Sequence, residues 1–320
     1  MNNLKKVGLT ALAGALVSVS ANAADLSVTG GASLNFAGEE KYLTGNGWTM
    51  NEGVTFSASA EQDNGWNITV TQVLNSDDNN TTAGQDNSVF DTRIMTVDMG
   101  DTGVLTFAGT GGSSVLNAID DVTPTAGEES WDDVTGADVI PGGTGGSNMF
   151  HYSNSSLMDG VTVSASYTPS DGTSEVESSS DYGIKYTGID GLTVGAAAGT
   201  DDTAPTATVD ITNMYVTYAM DAFSVGYQTS ESDSETANAD KDFTAIGSSY
   251  AVSEEMSVSL NTSTIDYENA TLSDQEAMGI SVSYVMGSMT LKANHNTVDN
   301  VAGTATDDRS GYALSLGFAF

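Results

Sequence analysis

The side chains with the most chemical potential fall in one stretch, residues 109–146, "GTGGSSVLNAIDDVTPTAGEESWDDVTGADVIPGGTGG". It carries Asp120, Asp121, Glu128, Glu129, Asp132, Asp133 and Asp138, and no Lys or Arg. Carboxylates without bases among them attract cations and repel anions. A structureless connection of this length is expected to be functional, and glycines open it (Gly109, Gly111, Gly112) and close it (Gly142, Gly143, Gly145, Gly146). Val115, Leu116 and Trp131 are apolar residues that could anchor it to a wall. Other chemistries find less support. His151 and His295 are the only histidines, and no G-x-S-x-G elbow accompanies the many serines, so a Ser–His–carboxylate triad is not indicated and no enzyme is expected. No segment matches the calcium loop D-x-[DN]-x-[DN]-G with a closing Glu. There is no Cys, which excludes thiolate metal sites and disulfides, and no metal or other cofactor is expected beyond calcium held loosely by acidic outer loops.

The start of the chain says where these residues work. Lys5 and Lys6 precede an uncharged, Ala- and Gly-rich stretch and the small-x-small site Ala21-Asn22-Ala23, the pattern of a cleaved secretory signal peptide over residues 1–23. Residues 24–320 are then the mature, exported domain. Removing the leader takes two bases and no acid, so the formal charge moves from −35 to −37, with 6 bases against 43 acids. Such a chain has no means of binding nucleic acid phosphates.

What positions the acidic stretch is read from periodicity. After residue 23 no apolar run is long enough for a spanning helix. Large apolar residues instead alternate with Ser, Thr, Asn and Gly in one segment after another, as in Met214-Val216-Tyr218-Met220 and Met278-Ile280-Val282-Tyr284. The count is about sixteen strands, many near the length a tilted strand needs to cross a bilayer. Seven short turns, such as Gln62–Gly65, Gly100–Gly103 and Ile189–Gly191, alternate with longer acidic loops such as "NSDDNNTTAGQD" and "SESDSETANAD". Short turns on one rim and long loops on the other describe a transmembrane antiparallel β-barrel, all-β in class. In lipid every backbone group must be paired within the protein, which for strands demands closure. Strand parity then turns Lys185, Lys292 and Arg309 toward the lumen, and Arg93 too if Ile94 faces outward; lumen placement avoids the cost of a charge on the lipid face. Trp66, Phe223 and Phe320 are expected in the aromatic girdle at the short-turn rim, with Phe36, Tyr152 and Tyr167 at the other.

The chain ends "YALSLGFAF", with Tyr312, Leu314, Leu316, Phe318 and Phe320 on one face. This stripe, the hairpin "RIMTVDMGDTGVLTFAG" and the long insertion after it resemble the general bacterial porins, trimeric sixteen-strand barrels of Gram-negative outer membranes. The resemblance implies an outer-membrane channel for passive diffusion of small hydrophilic solutes. It implies that residues 109–146 fold inward as a constriction loop, and that Arg93, Lys185, Lys292 and Arg309 line the wall facing it. The terminal stripe would be the signal read by the barrel assembly machinery, and the assembly a homotrimer, with Ala196 and Ala198 small enough for close packing between barrels. Contact with outer-membrane lipid and lipopolysaccharide is expected, with divalent cations bridging at the outer rim. The excess of acids adds an expectation of its own, a preference for cations. A solute-selective porin and a calcium-dependent surface adhesin are the alternative readings.

Overall fold

The computed structural model describes residues 25–40, 47–75, 90–143, 146–170, 178–201 and 208–320. The leader, and most of the acidic loops at 76–89 and 171–177, lie outside the described residues. The period-two segments form sixteen strands. The first eight are β1 (Asp25–Glu39), β2 (Trp48–Glu61), β3 (Asn67–Asn75), β4 (Thr92–Asp98), β5 (Val104–Thr110), β6 (Met149–Met158), β7 (Val161–Thr168) and β8 (Ser179–Ile189). The others are β9 (Leu192–Asp201), β10 (Val209–Met220), β11 (Phe223–Ser234), β12 (Lys241–Ala251), β13 (Met256–Tyr267), β14 (Gln275–Met286), β15 (Met289–Asp299) and β16 (Arg309–Ala319). Each pairs antiparallel with its sequence neighbours, and β16 returns to β1 to close the barrel. The seven expected short turns join β2–β3, β4–β5, β6–β7, β8–β9, β10–β11, β12–β13 and β14–β15. Closure leaves no sheet edge, so every strand has a partner on both sides.

The apolar stripes face out. Met214, Val216, Tyr218 and Met220 are exposed along β10, while Ile211 and Tyr215, of the opposite parity, are buried inside. A soluble fold could not leave so many large apolar side chains open; a lipid-facing barrel must. Along β16 and at the residue after it, Tyr312, Leu314, Phe318 and Phe320 are exposed on the outward face, with Tyr312 opposite Gly38 of β1, Leu314 opposite Phe36, and Phe318 opposite Ala32. Phe36 packs on Trp48 (ring centroids 4.8 Å) and on Tyr312 (6.1 Å), forming an aromatic belt near the long-loop rim.

Two sequence expectations are corrected. Tyr152 belongs to the short-turn rim, because its hydroxyl donates to the Thr102 carbonyl (2.6 Å) in the β4–β5 turn. Arg93 faces outward. It lies opposite Gln72, one pair beyond Met95 and Val70, which are both exposed on the outer face. Ile94 instead lines the lumen with Thr106, Ala108 and Met149. A β-bulge between Arg93 and Ile94 shifts the pairing with β5 and accompanies this parity.

Candidate functional site

The connection from β5 to β6 enters the barrel and lies against its inner wall. Its neck is stapled where Gly112 and Gly146 exchange two backbone hydrogen bonds of 2.8 Å. From there the loop meets inward side chains in strand order. The Val115 amide donates to Ser166 Oγ (2.9 Å) on β7, and the Leu116 amide to Asp181 Oδ2 (3.1 Å) on β8. Ser166 also donates to Asp181, which fixes the carboxylate that receives the loop. Asn213 and Gln228, on β10 and β11, both donate to the Ile119 carbonyl (3.2 and 2.6 Å). Farther along, Asn261 holds the Pro124 carbonyl, and Asn296 Nδ2 donates to the carbonyls of Glu129 (2.8 Å) and Asp132 (2.7 Å). Gln275 clamps Asp138 twice, donating to its carbonyl (2.8 Å) and accepting its amide (2.9 Å). The Thr135 amide donates to Glu39 on β1 (3.1 Å). Each such bond contributes about 1 kcal/mol net, so the seat is strong only as a set.

Three apolar contacts complete it. Val115 and Leu116 bury against Ala197 and Ile211. Trp131 and Ile140 bury against Phe243, Ala245 and Ile265, with the Trp131 and Phe243 rings edge to face at 5.1 Å. Val134 packs on Ala277, Val298 and Val301. Room for the backbone comes from missing side chains on the wall. A Cβ at Gly247 would lie 2.7 Å from Thr123 Cβ, and one at Gly279 would lie 3.0 Å from Ser130 Cα.

The seven acids divide into three groups. Glu128, Glu129 and Asp132 offer carboxylate oxygens all within 4.8 Å of one another. Glu129 is buried, and burial, followed by the charges of Asp121 and Asp132, pushes its pKa up to about 8. Asp120, Asp121 and Asp133 surround this cluster. Asp121 is pushed up to about 6 by partial burial and then by Asp120, Asp132 and Glu128, although its side chain opens to the lumen. Asp120, Asp132 and Asp133 are raised as well, each mainly by burial. Asp138 stands apart: Lys241 Nζ (2.8 Å) and the Tyr267 hydroxyl (2.9 Å) hold its Oδ2.

The bases are fewer and mostly engaged. Lys292 points into the lumen 3.4 Å from Glu128 Oε1, in a half-exposed pair whose energy is small. Arg309 also faces inward, between Glu39 (3.7 Å) and Asp307, and donates to the Thr135 carbonyl. Lys185 is exposed on the lumen side beneath the loop, where it lines a cavity of about 300 Å³ with His151, Ile119 and Tyr215. Glu39, Asp181, Lys241 and Gln275 were not singled out from sequence. Inward parity was the one signal available for them, and dozens of Ser, Thr and Asn share it.

Across the lumen from the loop stand β1 to β5. Their inner face is hydroxyl-rich: Ser57 and Thr71 meet across strands (3.5 Å), as do Thr96 and Thr106 (3.3 Å). Among the described residues that face carries no Lys or Arg. The site is therefore a closed sixteen-strand barrel whose lumen sets a carboxylate-rich inner loop against a wall that carries no Lys or Arg among the described residues.

A family model described as Gram-negative porin matches residues 8–271. The chain belongs to the Gram-negative porin family. It forms an outer-membrane channel, as the family and the barrel together require. No curated protein sequence matches it, so relatives are found by shape. The anion-selective porin from Comamonas acidovorans superposes with a TM-score of 0.72 at 13% identity, covering 93% of this chain and 100% of that one. A loop-deletion mutant of OmpT, an outer membrane protein of Vibrio cholerae, gives 0.70 at 14% identity, with 93% and 100% covered. OmpF of Salmonella typhi in complex with daunomycin gives 0.68 at 12% identity, with 92% and 97% covered. At these identities the likeness is one of fold.

Proposed function

We propose that this porin is a water-filled diffusion channel for small hydrophilic solutes and ions, with a preference for cations, and not an enzyme. The observation that carries the reading is the asymmetry of the lumen. Six of the seven loop acids sit in or around one cluster, and among the described residues the wall opposite offers no base to balance them. A low-dielectric wall focuses that negative potential on the ion path. Screening over about 8 Å at physiological ionic strength limits the effect to nearby charges, so the loop counts for more than the outer acids. Selectivity follows from lining charge and not from barrel shape, since a porin of the same fold from Comamonas acidovorans is anion-selective.

The same reading covers the rest of the molecule. Residues 1–23 act as a cleaved export signal, and the stripe from Tyr312 to Phe320 guides insertion by the barrel assembly machinery. The mature chain assembles as a homotrimer, and acids at the long-loop rim hold calcium loosely and through it engage lipopolysaccharide. The deciding experiment is planar-bilayer conductance under a salt gradient. Stepwise conductance with a cation-selective reversal potential is expected. Silence would favour an adhesin, and anion selectivity would overturn the electrostatic argument.

A further inference from the structure

Not every space in the lumen is acidic. The cavity of about 300 Å³ that Lys185 lines, beneath the loop, adjoins a second of about 310 Å³. Ala118, His151 and Ser153 line both, so the two form one trough between loop and wall. Among the described residues no carboxylate lines either of them. In a chain of 43 acids and 8 bases, a space lined by a base and no acid stands out. The strand register orders its lining by level. Thr162 stands opposite Lys185, nearest the short-turn rim. Two residues up, Ser164 faces both Gly183 and Ser153. His151 comes next, opposite Thr106. Above it Ile94, Ala108 and Met149 stand side by side across three strands. The lining therefore passes from a base, through hydroxyls and an imidazole, to an apolar end. By the rise of a strand the two ends are about 20 Å apart, and the long Lys185 side chain spans part of that.

Each part is available to a ligand. Lys185 is exposed and makes no ion pair among the described residues. Asp181, the acid of inward parity on the same strand, is already engaged by the Leu116 amide and Ser166. The loop acids begin past Ile119, whose carbonyl Asn213 and Gln228 hold on β10 and β11. His151 Nδ1 donates to the Ser113 carbonyl (3.3 Å), which orients the ring and makes Nε2 the acceptor of the neutral imidazole. Ala108 and Met149 are buried beneath Gly112 of the loop's neck, but Ile94 is half-buried and Ala118 exposed, so the apolar end keeps an open face. Clefts that hold small molecules set apolar walls beside a few placed polar groups. We propose that this trough is a binding subsite for a monocarboxylate with an apolar body, an alkyl or aryl acid. Its carboxylate meets Lys185 and the hydroxyls of Thr162 and Ser164, and its body lies against Ile94, Met149 and Ala118. A charge-assisted hydrogen bond holds the head, and apolar surface leaving water holds the body. Lys185 repels cations, and a sugar would leave hydroxyls unpaired at the apolar end. The closed wall separates the trough from the bilayer, so its occupant arrives dissolved in the lumen.

This inference deepens the channel reading above and rests on it for its solutes, and the test keeps the two apart. The folded barrel is titrated calorimetrically with phenylbutyrate in mild detergent, against empty micelles, and its conductance is measured in parallel. Saturable binding of one phenylbutyrate per chain is expected, with none for acetate or phenylbutylamine. Lys185→Gln should weaken it by roughly tenfold or more, as the loss of a hydrogen bond to a charged group does. Lys185→Arg should keep most of it. Ile94→Thr should weaken it by roughly threefold to fivefold through lost apolar contact. Heat-modifiable mobility shows that each variant is folded. Affinity unchanged by Lys185→Gln, or phenylbutylamine bound as well as phenylbutyrate, would overturn the proposal. A conducting barrel without saturable binding would overturn it too and leave the channel reading standing. Saturable, Lys185-dependent binding to a barrel that never conducts would uphold the subsite and sink the channel reading instead.

Discussion

The strands from β7 to β16, with Glu39 at the end of β1, carry a loop on their inner face, and those from β2 to β5 show the lumen a hydroxyl-rich surface. Both halves are built by the same alternation, yet they do different work. On the covered side the inward residues are amides, carboxylates and small side chains aimed at loop backbone, as with Asp181, Gln228, Gln275 and Asn296. On the bare side Ser and Thr satisfy one another across strands. The barrel supplies the hole, and one inserted segment supplies its charge. If the proposed cation preference holds, a fold shared with an anion-selective porin carries the opposite sign, and the inserted loop is where the difference in charge would lie.

The strongest way to break this contrast is to discharge the covered side. Asp120, Asp121, Asp132 and Asp133 changed together to Asn should lower the cation-to-anion permeability ratio by roughly tenfold at low salt. Reversal potentials under a salt gradient read this directly, with unheated and heated gel mobility confirming a folded barrel. An unchanged potential would put the loop acids off the ion path and leave selectivity to the outer loops.

Unseating the loop should give the next largest effect. Gly279→Val places side-chain atoms where Ser130 Cα and the Asn296 amide already sit. Asn296 would then lose its hold on the Glu129 and Asp132 carbonyls. A single-channel conductance raised by roughly twofold is expected once a pore is widened at its narrowest point. Wild-type conductance from a folded Gly279→Val barrel would mean that the loop does not limit flow. A smaller change comes from charging the bare side. Thr71→Arg adds an inward base opposite the carboxylates, so conductance and cation preference should both fall by less than about twofold, since one charge is screened by lumen water. A rise in cation preference would contradict the placement of Thr71 on the lumen wall.

Most of the fold was legible because a membrane barrel leaves two strong marks in sequence, a period of two and an alternation of turn lengths. Lys185, Lys292 and Arg309 face the lumen as parity suggests, and the register shift near Lys185 begins only after Tyr186. Arg93 does not, because a bulge breaks the pairing at that residue and Met95 and Val97 already ran against the inward assignment. Tyr152 was misplaced because its level depends on which turn its hydroxyl reaches, a contact 50 residues away in sequence. The loop's acids could be read as a group, but their sorting could not. Asp138 leaves the cluster through Lys241 and Tyr267, which are distant in the chain. Wall glycines such as Gly247 and Gly279, which mark the loop's path, look in sequence like any other small inward residue.

The finest test of the two sides is pH, because the loop gathers acids displaced from their ordinary range. Burial and like charges raise Glu129 to about 8 and Asp121 to about 6. A raised acid binds more protons in the folded protein than in the unfolded chain. Between the ordinary carboxylate range and about pH 8, the folded state therefore gains stability as pH falls and loses it as pH rises. Charge in the pore runs the other way. Asp121 ionises as pH passes about 6 and Glu129 as it passes about 8, so cation preference should climb in two steps while the loop's seat loosens. Reversal potentials at pH about 5, 7 and 9 follow the first trend, and the temperature at which unheated mobility is lost follows the second. Glu129→Gln removes the upper step in both: its potential should level off above about pH 7, and its barrel should keep more of its heat resistance at about pH 9 than the wild type does. A wild-type potential that is flat from about pH 6 to 9 would mean that Glu129 is already charged there. The carboxylate cluster would then have to be wetter and more open than its packing against Asn294, Asn296 and Ser130 describes.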